Sequence, residues 1–203
     1  VEWVRSGKVG EISLIRGTFH FQLPKKQRQA DNLNVRLVPD YAGGALWDVG
    51  VYPISYAQSL IGRAPVWVFG SWRLGPTGVD ESFAGQMGYS GFQQSGPVAQ
   101  ISCSFETPFH TDLEIIGSDG ALKLSRPFTN LSKRQKVVYT NLKGRRRKLR
   151  VPKKSLYLGE VEDLNAAILD GSPPLISLEE SRNHIATVLA LYQSARTEQV
   201  VRI

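Results

Sequence analysis

Cysteine is nearly absent. Cys103 stands alone, which excludes an intramolecular disulfide framework and fits a reducing cytosol, so a cytoplasmic location is expected. It lies in an alternating run, where it reads as a small apolar side chain rather than a nucleophile. No apolar run approaches the roughly 20 residues needed to cross a bilayer, and no membrane contact is predicted. Histidine is scarce: His20, His110 and His184 are isolated from any second His or Cys at ligand spacing, so no metal is expected. The phosphate-binding signatures G-x-G-x-x-G and G-x-x-x-x-G-K-[ST] are missing, as is the nucleophile elbow G-x-S-x-G. The first residue is not Met, and no basic n-region precedes an apolar stretch, so no secretory signal is predicted. Val1–Ser6 reads instead as the tail of a helix that Gly7 ends, and a chain opening this way is expected to be cut from something longer.

What is present describes an ordinary globular protein. The 203 residues are 41% hydrophobic and 21% charged, enough for one domain over 1–203 with a sizeable core. Nineteen glycines and eleven prolines, spread along the chain, predict many turns and hence many strands. The net charge of +7 suggests nucleic acid until its distribution is considered. Eight basic residues and no acidic ones lie between Lys143 and Lys154, and removing that segment takes the net charge to −1. A run of this kind can collect phosphates by releasing counterions, but it lacks interleaved aromatics to stack bases. A solvated hairpin or loop is the expected outcome, with nucleic acid not expected as a partner.

Apolar spacing sets out the elements. Glu11–Leu23 reads as a long strand whose alternation changes phase at Leu14–Ile15, as a β-bulge would cause. Lys25–Pro39 is polar and reads as a loop, and Gly43–Gly44 opens a helix ending at Ile61 before Gly62. Strands are predicted at Val66–Leu74, Ser82–Ser90, Val98–Glu106, Thr111–Gly117, Ala121–Ser125 and Val137–Asn141. Turn residues separate several of them, at Ser95–Gly96, Thr107–Pro108 and Ser118–Gly120. Tyr157–Leu169 has helical spacing through Leu158, Val161, Leu164 and Ile168. Ser177 and Glu180 form a capping box for a last helix with a stripe of Ile185, Val188, Leu189 and Tyr192. Consecutive strands flanked by grouped helices predict an α+β domain, a large, mostly antiparallel sheet with helices packed on one face.

One segment carries possible chemistry: Tyr41-Ala-Gly-Gly-Ala-Leu-Trp-Asp-Val-Gly-Val-Tyr-Pro-Ile-Ser55. Asp48 and Tyr52 are four residues apart, so a helix places them on one face, one turn from each other. Gly50 between them suggests that something packs close to the backbone, since alanine would suit a helix better by roughly 1 kcal/mol. Pro53 requires a helix that is kinked or has only just begun. A phenol beside a carboxylate could pass a proton to a carbonyl or alcohol oxygen while the carboxylate orients it or a sugar hydroxyl. On spacing alone the favoured reading is a helix-capping Asp48 with a core Tyr52.

The same segment resembles the signature of the glucose–fructose oxidoreductase, inositol dehydrogenase and rhizopine-catabolism (Gfo/Idh/MocA) family. It is most similar to the branch of dihydrodiol dehydrogenase and xylose dehydrogenases. Further stretches resemble it in order: Ser6-Gly-Lys-Val-Gly-Glu-Ile12, Asn34-Val-Arg36, Thr77-Gly-Val-Asp-Glu81, Leu113–Leu122 and Tyr192-Gln-Ser-Ala-Arg196. The resemblance implies a C-terminal domain, glyceraldehyde-3-phosphate dehydrogenase-like, from a protein whose N-terminal Rossmann domain is not in this sequence. It implies an NAD- or NADP-dependent oxidoreductase acting on a sugar, polyol or related alcohol by hydride transfer, and a homodimer formed through the sheet face. Carried over by position, Tyr52 would be the proton donor or acceptor and Asp48 its neighbour. Arg36 and Trp47 would line the substrate, although for Arg36 a salt bridge fits as well. Asp80 and Glu81 read as structural. The family's catalytic lysine belongs to a Glu-Lys-Pro motif, and no Glu-Lys pair occurs here, so this chain alone is expected to bind cofactor poorly and not turn over. A different class of function stays open: a non-catalytic dimerisation module, or regulatory homologue, whose basic segment contacts an acidic partner.

Overall fold

The computed structural model describes residues 2–129, 135–151, 155 and 157–203. A short helix, α1 (Glu2–Arg5), leads through Gly7 into the long strand β1 (Ile12–Gln22). The segment expected to be a loop winds through four 3-10 turns between Lys25 and Tyr41. A π-helical turn, Leu46–Gly50, then passes directly into α2 (Val51–Ile61), which ends at a left-handed Gly62. Seven strands follow: β2 (Trp67–Leu74), β3 (Asp80–Gly88), β4 (Val98–Ser104), β5 (Glu106–Gly117), β6 (Gly120–Ser125), β7 (Lys136–Asn141) and β8 (Arg146–Leu149). Two helices, α3 (Leu158–Leu169) and α4 (Leu178–Thr197), and a two-residue strand, β9 (Val201–Arg202), complete the described residues.

The strands form one sheet in the order β8-β7-β6-β5-β1-β4-β3-β2-β9. All its pairings are antiparallel except β1 with β4, so the α+β, mostly antiparallel expectation holds. Insertion of β1 between β4 and β5 corrects the expectation that consecutive strands pair throughout. The chain bends at Phe105, whose amide donates to Glu81 O and whose carbonyl accepts from Leu23 N, so β4 and β5 flank β1 instead of each other. Thr107–Pro108, expected as a turn, lies within β5. There the register against β1 slips between His20 and Gln22, an irregularity that accommodates a proline lacking its N–H. The other irregularity of β1 falls between Ile12 and Leu14, one residue before the expected phase change, because the extra residue is Ser13.

Pairing puts Ile15, Ile115 and Ala99 in one row and Leu113, Leu124 and Ile101 in the next, so one sheet face is apolar. Against it lie α2, through Ile54 and Ala57, and α4, through Val188 and Leu191, all of them fully buried. The expected α4 stripe is displaced. Ile185 and Leu189 are about half exposed, while Thr187, Ala190, Ser194 and Ala195 face inward. Two of those inward residues act through hydroxyls: Thr187 Oγ accepts from Gln58 Nε2 and Ser194 Oγ accepts from the Gly70 amide. Ser177 caps α4 as expected, accepting from the Glu180 amide. The expectation that every helix packs on the sheet fails for α3, none of whose residues is buried.

The basic segment forms the turn, the second strand and the exit of the β7–β8 hairpin, exposed almost throughout between Lys143 and Val151; Lys153 and Lys154 lie outside the described residues. Among the described residues, no helix is long and apolar enough to cross a membrane.

Candidate functional site

The segment carrying Asp48 and Tyr52 is held from three sides. Its approach is a 3-10 turn, Val35–Leu37, capped by Asn34, whose side chain accepts from the Arg36 amide, and anchored by the buried Leu37. The glycine pair joins this turn to the helix start: Gly43 N donates to Val38 O and Gly44 N to Arg36 O at 2.9 Å. Gly44 takes φ +132°, and a Cβ there would overlap Asp80 Oδ1. Only glycine allows both the backbone angle and the approach.

The helix start is wider than an α-helix. Val51 N donates to Leu46 O, five residues back, and the α pattern begins only after Gly50. Pro53 therefore lies in the first turn of α2, where a missing N–H costs little. Gly50 meets the expectation of a close neighbour: an added Cβ would lie 3.0 Å from Cys103 Sγ of β4 and 2.7 Å from Leu46 Cδ1. The neighbour is the sheet. Cys103 is correspondingly buried, and burial raises its thiol pKa well above the usual value.

Asp48 does not cap the helix; its Oδ2 accepts from Arg36 Nε at 2.7 Å, a half-exposed ion pair. Tyr52 is not a core residue either, being 48% exposed. Its ring leans on Phe19 of β1 and on Phe128, with centroids 5.7 and 6.1 Å away, which leaves the phenol at the surface. Partial burial raises the phenol pKa, and Asp48, Tyr157 and Glu160 raise it further while Arg36 opposes them. At neutral pH this group is a hydrogen-bond donor. Trp47, the fourth residue singled out, packs against Tyr192 of α4 at 6.1 Å between centroids.

Three residues near this site escaped sequence reasoning. Tyr157 and Glu160, at the start of α3, act on the Tyr52 phenol from more than 100 positions away in the chain, and spacing carries no trace of that. Tyr192 appeared in an apolar stripe and in a family-like stretch without a role of its own, yet its hydroxyl donates to Asp80 Oδ1 at 2.7 Å. Asp80 Oδ2 accepts from the Leu46 amide at 2.8 Å, tying β3 and α4 to the helix start. Its neighbour Glu81 is buried in an ion pair with Arg28, whose guanidinium also donates to Phe105 O.

Two of the three histidines are held by hydrogen bonds of their own. His20 meets Ser102 and Thr107 through its two ring nitrogens, each at 2.9 Å, and His184 meets Val51 O at 3.1 Å. Burial lowers the pKa of both rings. Among the described residues, no three His, Cys, Asp or Glu side chains converge as metal ligands.

Comparison with known proteins gives a consistent result. Residues 1–123 match the profile of the GFO/IDH/MocA C-terminal domain. The D-xylose 1-dehydrogenase (NADP(+)) 2 of Haloferax volcanii is 28% identical over 98% of this chain and 58% of its own length. A dTDP-3,4-didehydro-2,6-dideoxy-alpha-D-glucose 3-reductase of Actinomadura kijaniata is 28% identical over 94% of this chain and 54% of its own. Both relatives are oxidoreductases by name, and the chain spans less than two thirds of either. The crystal structure of an aldose–aldose oxidoreductase from Caulobacter crescentus superposes with a TM-score of 0.84 at 20% identity. It covers all of this chain and 58% of that one, a likeness of fold.

Proposed function

This chain belongs to the GFO/IDH/MocA family, and from that membership we propose that it is the substrate-side part of an NAD(P)-dependent oxidoreductase acting on a sugar, polyol or related alcohol. The observation that carries the reading is the exposed Tyr52 phenol, set one turn beyond an Asp48 that Arg36 holds in place. In the reductive direction the phenol donates its hydrogen bond, then its proton, to the oxygen of the substrate carbonyl. Asp48, fixed by Arg36, accepts from a neighbouring substrate hydroxyl and sets which carbon faces the reacting partner. The raised phenol pKa suits the donor role, because Tyr52 keeps its proton until an alkoxide develops beside it.

The residues present do not fit a dinucleotide. No glycine-rich phosphate loop occurs, and the helix N-terminus at the site is already filled by the Asp80 carboxylate. NAD or NADP would supply the hydride, held by another part of the protein. An apolar surface for such a part exists beside Tyr52, where Val161, Leu164 and Ile168 of α3 are all more than half exposed. We place the whole of 1–203 in this one substrate-side unit. The second sheet face, which no described helix covers and which carries Arg16–Glu114, Gln100 and the 40% exposed Phe69, would serve as the homodimer surface.

Tyr52→Phe in the intact enzyme, assayed with sugar and NADP, tests the reading. We expect turnover to fall by about 10²–10⁴-fold with the circular dichroism spectrum unchanged. Turnover near wild type would remove the proton-transfer role.

A further inference from the structure

Tyr52 and Asp48 can act only if the start of their helix stays in place, and no side chain at its own N-cap holds it. The first N–H groups of a helix have no partner within it, and a Ser, Thr, Asp or Asn at the N-cap usually supplies one. Here the N-cap is Ala45, preceded by Gly44, and neither has a side-chain acceptor. Asp80, 34 residues away on β3, takes that role by accepting from the Leu46 amide. The placement suits a carboxylate, since helix N-termini carry partial positive charge.

The same carboxylate has a second attachment. Its other oxygen accepts from the Tyr192 hydroxyl of α4, and Tyr192 in turn touches Trp47, Trp72 and Phe83 by its ring. Sheet, helix start and α4 therefore meet at one group that is 2% exposed. Gly44 removes the Cβ that would block the approach.

We infer that Asp80, with Tyr192, is a positioning residue for the Asp48–Tyr52 pair, fixing the height and rotation of the π-helical turn that carries Asp48 and runs directly into α2, which carries Tyr52. The inference rests on the catalytic reading of that pair.

A neutral anchor would hold a helix with less penalty. A buried carboxylate without a cation is costly, and among the described residues no Lys or Arg pairs with Asp80. Burial raises its pKa to about 6, against the hydrogen bonds from Leu46, Tyr192 and Ala45 that favour the charge. The other ionisable groups facing it are Tyr192 from α4 and Cys103 from β4; the Cys103 thiol feels both Asp80 and Asp48.

The test uses Asp80→Asn and Tyr192→Phe in the 203-residue chain carrying ¹³C-labelled tyrosine, its Tyr52 signal assigned by comparison with Tyr52→Phe. Seven tyrosines keep the spectrum resolvable. We expect Asp80→Asn to shift the Tyr52 signal and cut Leu46 amide exchange protection at least about tenfold, with Tyr192→Phe giving a smaller change in the same direction. In the intact enzyme, Asp80→Asn should lower kcat by about 10–100-fold with KM little changed, as a misplaced proton donor does. If both variants leave the Tyr52 signal and Leu46 protection at wild-type values, Asp80 is merely a core residue and the inference falls. It falls too if Asp80→Asn turns over normally while Tyr52→Phe does not. If Tyr52 moves in Asp80→Asn but Tyr52→Phe is fully active, the positioning stands and the catalytic reading fails. Should Asp80→Asn not fold, Tyr192→Phe decides alone.

Discussion

Helices α3 and α4 are written in similar sequence terms and end in different surroundings. Both carry aliphatic residues at helical spacing, yet α4 buries Val188, Ala190, Leu191 and Ala195, whereas α3 buries none of its residues. The difference lies in what each meets. Helix α4 crosses β2 and reaches α2, where small and hydroxyl side chains let the backbones approach and leave Gly70 N a partner in Ser194. Helix α3 buries no residue against that sheet face, and its stripe stays exposed beside Tyr157. Periodicity states that a segment is helical and has an apolar side; it does not state what covers that side.

Three measurements would break or sharpen this contrast. The largest effect is expected inside the α2–α4 layer, where Ile54 is fully buried; Ile54→Ala should cost about 2–5 kcal/mol in urea unfolding. A loss below about 1 kcal/mol would mean the layer is loosely packed.

Next comes the pH dependence of the anchor. Asp80 holds its proton more tightly folded, at about 6, than unfolded, at 3.8. Its contribution to stability is therefore complete below about pH 4 and is lost as pH rises through about 6. At about 1.4 kcal/mol per pKa unit the loss approaches 3 kcal/mol. The stability of the wild type relative to Asp80→Asn should decline by up to that amount between about pH 4 and pH 7. A pH-independent difference would remove the buried, cation-free carboxylate from the account.

The smallest effect is expected on α3. Leu164→Glu, at a position 59% exposed, should change unfolding of the 203-residue chain by no more than about 0.5 kcal/mol. A loss above about 1 kcal/mol would show that α3 packs on this chain after all.

Much of the fold was legible because it rests on local patterns. The strands at 12–22, 67–74 and 98–104, the turn at 118–120 and the Ser177 cap all follow from residues within a few positions of each other. Features set by distant neighbours were not legible. Nothing around Thr107–Pro108 shows that β5 already pairs with β1 at Glu106, and the basic run left a hairpin and a loop both open at Arg146–Leu149, because its partner β7 decides between them. For the site, the helical relation of Asp48 to Tyr52 could be read directly. Choosing between a cap and an ion pair for Asp48 could not, because Arg36 arrives by way of a glycine-joined turn.

By itself the sequence determined the helix that bears Tyr52, the glycines that let its start come close to other groups, and the run of strands beneath it. Those depend on backbone propensity and on side-chain period, which neighbouring residues settle among themselves. Only the tertiary structure decided which carboxylate serves the helix start. Asp48 is nearer in sequence, but Asp80 is the one the sheet delivers to the Leu46 amide, and a hydrogen bond depends on distance in space.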